Sequence, residues 1–176
     1  MLKRALAFLL AVAVVMAVST ETPQAQESAI IQATATVLSS LTIIGTNNLQ
    51  FGTVTPGVNK SVDKTTLGFA GEWQINGIAS AEISLDFTLP DSLILVDSTV
   101  GMTIVFTNTD ASYEDGTGGG QAAPAGNIDP LGPSAHDLAA DGSLLVWIGG
   151  EVQPGLTQTG GDYAADVVLT VAYTGS

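Results

Sequence analysis

The segment Ala81-Glu82-Ile83-Ser84-Leu85-Asp86-Phe87-Thr88-Leu89 decides the fold class of this chain. Its odd positions are apolar and its even positions are polar or charged. Because successive side chains of a strand point to opposite faces, this alternation predicts a β-strand with one buried face. A slip of one residue in its pairing would turn every apolar side chain outwards, so the pattern fixes the register as well.

Similar segments recur along the chain, and no segment after the first 25 residues has a helical period. Glycine, proline, asparagine and aspartate separate them, which is the composition of turns. We therefore predict an all-β, antiparallel β-sandwich of about eight or nine strands. The predicted strands lie within residues 31–37, 41–44, 49–54, 72–76, 81–89, 93–96, 102–107, 144–152 and 163–173.

The first residues have the pattern of a secretory signal peptide. Lys3 and Arg4 precede fourteen apolar residues, 5–18, and small residues follow. A membrane-spanning helix needs about 20 apolar residues, so the pattern favours a cleaved leader over an anchor. We expect cleavage between Ser19 and Gln26, a signal peptide and stub over 1–25, and one domain over 26–176. The mature chain should carry no transmembrane segment and reach the cell surface or the extracellular space through the periplasm.

The charge of the chain excludes some partners. Seventeen acidic residues oppose four basic ones, which gives a formal net charge of −13. Such a surface repels nucleic acid and anionic lipid, so we expect no nucleic acid as a partner. The chain contains no cysteine, and its stability must come from burial, strand pairing or contacts with other chains.

Residues 111–143 interrupt the strand pattern. They are rich in glycine and proline and contain few large apolar residues. A connection of this length exceeds the roughly 12–15 residues that are usual inside a compact domain. We interpret the segment as a loosely ordered insertion or as a surface excursion that carries function.

The same segment holds the residues that could carry chemistry. His136 is the only histidine. It could be grouped with Ser134 and Asp137 as a triad, but sequence neighbours on one loop rarely form the geometry that a triad needs. We therefore interpret His136 as a solvated loop residue and predict no enzyme activity and no cofactor.

Asp110, Glu114 and Asp115 are weak candidates for calcium ligands. An EF-hand loop has glycine at its sixth position and a bidentate acid at its twelfth. Counted from Asp110, these positions hold Asp115 and Gln121, so the EF-hand pattern fails. An irregular calcium site and a merely acidic, soluble loop both remain open.

Two tryptophans could stack on sugars or fill a core. Trp73 alternates with Glu72 and Gln74, and Trp147 lies among aliphatic residues on both sides. Both contexts favour the core.

The apolar residues Ile31, Ala33, Ala35 and Val37 alternate with polar ones directly after the leader. An extended peptide that joins the sheet of another subunit needs such a pattern, because its backbone supplies hydrogen bonds and its alternate side chains fill pockets. The alternative is the first strand of the chain's own sandwich.

The final predicted strand runs from Tyr163 to Tyr173 and follows shortly after Gly161. One face carries Tyr163, Ala165, Val167, Leu169, Val171 and Tyr173. A long strand with an aromatic residue at each end is expected at or near a sheet edge, and an ordinary strand inside the sandwich is the alternative.

Four segments together resemble the DUF4402 domain family, secreted bacterial proteins related in pattern to spore coat protein U and to the archaic chaperone–usher pilins. The resemblance spans roughly residues 29–174. Gly161 and Tyr173 have the glycine-to-tyrosine separation of the last pilin strand. The chain departs from the pattern in lacking cysteines and in its long 111–143 segment. The four segments are 33–37, 48–54, 148–152 and 161–173.

This resemblance implies an immunoglobulin-like sandwich that serves as a structural subunit of a surface pilus, fibre or coat. It implies self-assembly by donor-strand exchange, with a periplasmic chaperone and an usher as further partners. The donor candidates are Ile31, Ala33, Ala35 and Val37, and the acceptor-groove candidates are Tyr163, Val167, Leu169, Val171 and Tyr173. The alternative is a monomeric surface module that binds carbohydrate or calcium through residues 111–143.

Overall fold

The computed structural model describes residues 32–35 and 40–175. The chain divides into two compact units, residues 1–36 and 37–176. In the first unit, the described residues 32–35 are exposed and form no regular secondary structure. The leader and the donor candidate Ile31 lie outside the described residues, as does Val37 at the start of the second unit.

Residues 40–175 of the second unit are all-β, with thirteen strands in antiparallel sheets and no helix. This confirms the predicted antiparallel sandwich. The strands are β1 (Thr42–Asn47), β2 (Lys60–Val62), β3 (Gly71–Asn76), β4 (Glu82–Thr88), β5 (Ser92–Leu95), β6 (Gly101–Val105), β7 (Ala111–Glu114), β8 (Gly126–Ile128), β9 (Ser134–Asp137), β10 (Ser143–Ile148), β11 (Gly150–Gln153), β12 (Tyr163–Ala164) and β13 (Val168–Tyr173).

The strands form three sheets. The first sheet has the order β1-β3-β10-β7-β8, the second β12-β5-β6-β11-β2, and the third β13-β4-β9. The first sheet packs face to face on the third. Trp73 of β3 meets Phe87 of β4 with ring centres 6.0 Å apart, and Tyr113 of β7 meets His136 of β9 at 4.3 Å. Strand β3 therefore lies over β4, and β7 lies over β9.

The main core lies between the first and third sheets. Leu144, Val146 and Ile148 of β10 are fully buried there, as are Ile83 and Leu85 of β4. The alternation in 81–89 thus identified the buried face correctly, and Phe87 lies at its margin. A second core, around Met102, Ile104 and Val152, lies on the inner face of the second sheet.

Several runs of chain pass from one sheet to another. Strands β10 and β11 are separated only by Gly149 but belong to the first and second sheets. A Cβ at Gly149 would collide with the carbonyl oxygen of Val62, so the close approach of two backbones requires glycine here. The predicted single strand over 144–152 is therefore two strands.

The predicted strand Tyr163–Tyr173 is also wrong as one element. Strand β12 pairs with β5 in the second sheet and β13 pairs with β4 in the third, while residues 165–167 form no strand. The break faces the interruption between β4 and β5, which contains Pro90. Proline has no N–H to donate, so the hydrogen-bond ladder between the two segments is interrupted at Pro90. Both segments leave one sheet and enter the other at this point.

Near the start of the sandwich, one predicted strand is absent and one observed strand was not predicted. Residues 49–54 form no strand, although Phe51 is buried in the second core. Gly52 has a φ of 62°, a left-handed conformation that interrupts an extended run. Strand β2, by contrast, was missed because Val62 is its only buried residue, which leaves no alternation to detect.

The prediction of a loosely ordered insertion over 111–143 is wrong. Strands β7, β8 and β9 lie in this segment. Ala111, Ile128 and Leu138 belong to the main core, with exposed fractions of 0%, 1% and 2%. The strands are only three or four residues long, so each contributes too few apolar positions for a period to be visible.

The buried position of Ile128 yields a test of this assignment. Ile128→Ala should lower the free energy of unfolding by about 2–5 kcal/mol, the range for emptying a buried aliphatic site. Leu131→Ala, three residues away but 61% exposed, is the matched control and should change it by less than about 0.5 kcal/mol. Urea denaturation of the two variants measures the difference, and equal midpoints would show that the segment lies outside the core.

Candidate functional site

The sandwich is closed along one side and open along the other. On the closed side, next to β8 and β9, Ile128 and Leu138 are almost completely buried. On the other side, β1 ends the first sheet and β13 ends the third. Among the described residues, β1 pairs only with β3 and β13 only with β4. Both strands therefore border the opening with a backbone edge that has no strand partner.

The two edge strands run in opposite directions along this opening. At one end, a Cβ on Gly77 would lie 2.5 Å from the Tyr173 hydroxyl and 2.9 Å from Cδ1 of Leu41. The end of β13 and the residue before β1 thus meet over Gly77, and the Ile78 N–H donates to the Tyr173 hydroxyl at 2.8 Å. At the other end, Asn47 and Val167 line a common groove.

This groove has a volume of about 1140 Å³. Its wall contains both apolar residues and polar residues with amide or carboxylate side chains. An extended peptide needs both kinds of surface, since its side chains seek pockets and its main chain seeks hydrogen bonds. The apolar part of the wall includes Leu49, Phe51, Trp73, Leu93, Tyr163 and Val167, and the polar part includes Asn47, Asn48, Gln50, Asp162 and Asp166.

Apolar side chains along the open side are only partly covered. Ile43 of β1 and Val171 of β13 pack against the main core but are half-buried, whereas the core residues deeper in the sandwich are fully buried. Trp73 and Phe87 are half-buried in the same way. A further strand laid along this side would remove their remaining surface from water, which is favourable by about 25 cal/mol per Å².

The structure places all five predicted acceptor residues along this side, but not on one strand. Tyr163 and Val167 line the groove. Val171 and Tyr173 are half-buried at the margin of the main core, and Leu169 is already buried in it. The donor candidates Ala33 and Ala35 are exposed without strand pairing, and Ile31 and Val37 are outside the described residues.

No pattern in the sequence indicated the residue that fixes one end of the groove. Gln158 donates from Nε2 to the Tyr163 hydroxyl at 2.7 Å and to the carbonyl of Gly101 at 3.1 Å. The Tyr163 hydroxyl donates in turn to the carbonyl of Thr159 at 2.7 Å. These bonds hold the wall around Tyr163 in one position. A glutamine in a polar loop has no distinguishing pattern, so a structural role for Gln158 could not be predicted from the sequence.

The calcium candidates do not form a cation site. Glu114 accepts N–H bonds from Gly116, Gly118 and Gly120 at 2.8, 2.8 and 3.0 Å. Asp115 accepts the N–H of Thr117, and Asp110 accepts that of Thr107. Within the described residues, no three His, Cys, Asp or Glu side chains lie close enough to hold a metal ion. The carboxylates organise their own loops instead.

The glycine loop that Glu114 organises lies over the outer face of the first sheet. Trp147 and its cross-strand neighbour Ser112 share that face with Glu114 and are 2% and 0% exposed. Beyond the loop, Gln121 donates to the carbonyls of Lys64 and Thr66 at 2.9 and 3.4 Å. The burial predicted for Trp147 is confirmed, whereas Trp73 is half-buried at the groove.

His136 is not the solvated loop residue that we expected. It lies on β9, is half-buried against Tyr113, and burial lowers its pKa against the opposing effect of Asp115 and Asp137. The Ser134 hydroxyl is buried and forms no hydrogen bond with His136 or with any other described residue. The three residues do not form a triad.

Comparisons with known proteins add no assignment. No protein-family model matches the chain, and no curated protein matches it. In the part of the chain that the structure describes, no helix has the length and apolarity needed to cross a bilayer.

The three bonds to Glu114 predict an acid-dependent loss of stability. The N–H groups of Gly118, Gly120 and Gly116 hold the pKa of this carboxyl below its usual 4.5, so its ionised form stabilises the fold. That contribution is complete above the usual pKa and disappears as the pH falls through the lowered one. Urea denaturation from pH 7 to pH 2 should show a smaller acid-induced decrease in unfolding free energy for Glu114→Gln than for the wild type.

Glu72→Gln is the control for this experiment, because Glu72 lies on the same sheet face and opposite Trp147. If Glu114→Gln and the wild type lose stability in parallel on acidification, the carboxylate does not hold the loop.

Proposed function

We propose that this chain is an exported structural subunit of a cell-surface pilus, fibre or coat, and that its copies join by strand exchange. The observation that carries the proposal is the sandwich left open between β1 and β13, with a groove of about 1140 Å³ beside it. A strand seated there would add to β1, to β13 or to both. Unpaired edges are templates for this kind of addition, because every second backbone group points outwards.

The donor in this proposal is the segment Ile31–Val37 of a neighbouring copy. Its seven residues would extend over roughly 23 Å, and the six-residue strands β1 and β13 extend over roughly 20 Å. The lengths therefore match. Its alternating apolar residues would face the half-buried margin formed by residues such as Ile43, Trp73 and Val171.

Export and assembly factors belong to the same proposal. The signal-like start of the chain and its resemblance to the DUF4402 domain family support export to the cell surface through the periplasm. A subunit with an open side is prone to pair with other chains before it is assembled. We therefore expect a periplasmic chaperone to cover this side and an usher to receive the subunit.

The alternative, a monomeric module that binds carbohydrate or calcium through residues 111–143, has less support. Strands of that segment contribute to the main core, and its carboxylates accept hydrogen bonds from neighbouring backbone groups. The groove is a better candidate for a ligand than this segment.

A peptide experiment tests the strand exchange. A synthetic peptide of residues 28–39 should bind a variant that lacks residues 1–37. It should slow hydrogen exchange in β1 and β13, because their outward N–H groups would gain partners. Isothermal titration calorimetry measures the binding, and hydrogen-exchange mass spectrometry locates it.

Two altered peptides are the matched controls. Ala35→Asp places a charge on the apolar face of the peptide and should weaken binding at least tenfold, whereas Thr34→Asp places it on the opposite face and should leave binding nearly unchanged. Failure of the wild-type peptide to bind, with a full chain that stays monomeric at high concentration, would contradict the proposal.

A further inference from the structure

Two loops stand at one end of the groove, and we call residues 53–59 and 153–159 the tip surface. Pro56, Pro154 and Gln158 line the groove from this end. The loops are joined by a hydrogen bond from the Gly57 N–H to the carbonyl of Gly155 at 3.1 Å. Each is also closed by a bond of its own, Val58 N–H to Thr55 and Gln158 N–H to Gly155, both at 3.1 Å. The tip surface is therefore a defined structure.

The tip surface presents large aliphatic side chains to solvent. Leu156 is 88% exposed and Val58 is 57% exposed. Leu156 lies over Gly57, because a Cβ at position 57 would come within 2.7 Å of Leu156 Cδ2. Gly57 also has a φ of 73°, so glycine is favoured there both by conformation and by space. The two loops thus hold Leu156 against Gly57, the residue before Val58, and neither Leu156 nor Val58 belongs to either core.

The tip surface also differs in charge from the rest of the molecule. The chain has 17 acidic residues, yet residues 42–61 and 152–161 contain none. The charge within this region is Lys60, which donates to the carbonyl of Thr53 at 2.9 Å. Copies of a chain with a net charge of −13 repel each other, and carboxylates brought face to face are costly. The carboxylate of Glu151 accepts hydrogen bonds from Asn59 and Gln153, but the tip loops themselves contain no acidic residue to face a second copy.

The short connection between the donor segment and its own sandwich adds a geometric constraint. Four residues separate Val37 from Thr42, the start of β1, and the five Cα–Cα steps between them reach at most about 18 Å. The body of the donating copy must therefore lie directly beyond one end of the acceptor groove. The end at Gly77 lies beside Asp141, because the carbonyl of its neighbour Gly142 accepts the Gly77 N–H. No residue of the tip surface itself is acidic.

We infer that the tip surface is where the body of a second copy of this chain contacts the acceptor, with Leu156 and Val58 as the apolar centre of the contact. The inference rests on the proposed strand exchange and adds a second, separate interface to it. The strand provides the connection between copies, and the tip contact sets how one copy is oriented on the next.

A pair of substitutions in the full chain tests this inference. Leu156→Asp adds a carboxylate to loops that contain no acidic residue, and Leu131→Asp adds one at another exposed leucine, 61% exposed, between β8 and β9. Sedimentation velocity should show association at least tenfold weaker for Leu156→Asp and changed by less than twofold for Leu131→Asp. Circular dichroism melts check that both variants are folded.

The donor peptide separates this inference from the proposed function. Removing residues 1–37 from Leu156→Asp should leave its affinity for the peptide of residues 28–39 unchanged, because Leu156 is not among the residues that line the groove. If the peptide binds but Leu156→Asp associates like the wild type, the tip inference is wrong and the strand exchange stands. If the peptide binds neither protein, the proposed function fails and the tip inference fails with it.

Discussion

The burial of alternating aliphatic side chains between the first and third sheets is the interaction on which the whole structure depends. The chain has no cysteine, and residues 40–175 form no helix, so no cross-link or helical layer supports the strands. Ile75, Leu144 and Val146 from one sheet meet Ile83 and Leu85 from the other, all with no exposed surface. Each fully buried side chain of this kind contributes about 1.5–3 kcal/mol. The layer is therefore the main source of stability.

The same layer explains why one side of the molecule can remain open. Fully buried residues occupy the middle of the sandwich and the side next to β8 and β9, while the half-buried ones lie along β1 and β13. The core is thus sufficient to fix the sheets but does not cover its own margin. An incomplete margin of this kind combines a stable fold with unpaired strand edges and half-buried apolar side chains among the described residues.

The sequence predicted those parts of the fold in which burial produces a visible period. The alternation in 81–89 identified the faces of β4, and the aliphatic run in 144–152 identified a buried region. Short strands were missed, because β2 and β8 each have a single buried residue. The breaks between β4 and β5 and between β12 and β13 depend on how two distant runs pair, and a local pattern contains no information about that pairing.

The candidate site was predictable only in part, for a similar reason. The apolar face of the last strand predicted its place at a sheet edge, and Tyr163, Val167 and Tyr173 do lie along the open side. The opposite wall comes from residues 47–54 and from Trp73, which are distant in sequence and have no shared motif. The carboxylates of 110–115 looked like ligands because a sequence shows the acids but not the backbone N–H groups that satisfy them.

The pairing of β13 with β4 has a consequence for how the chain folds. It joins Val168 to Thr88 and Tyr173 to Ile83, so the partners are 80 to 90 residues apart in sequence. Contacts of such high contact order require a long loop to close before any burial rewards it, and proteins dominated by them fold in milliseconds to seconds. One wall of the main core is therefore supplied by the last of the thirteen strands to be synthesised, and the earlier strands have no complete core to fold onto until that strand is present.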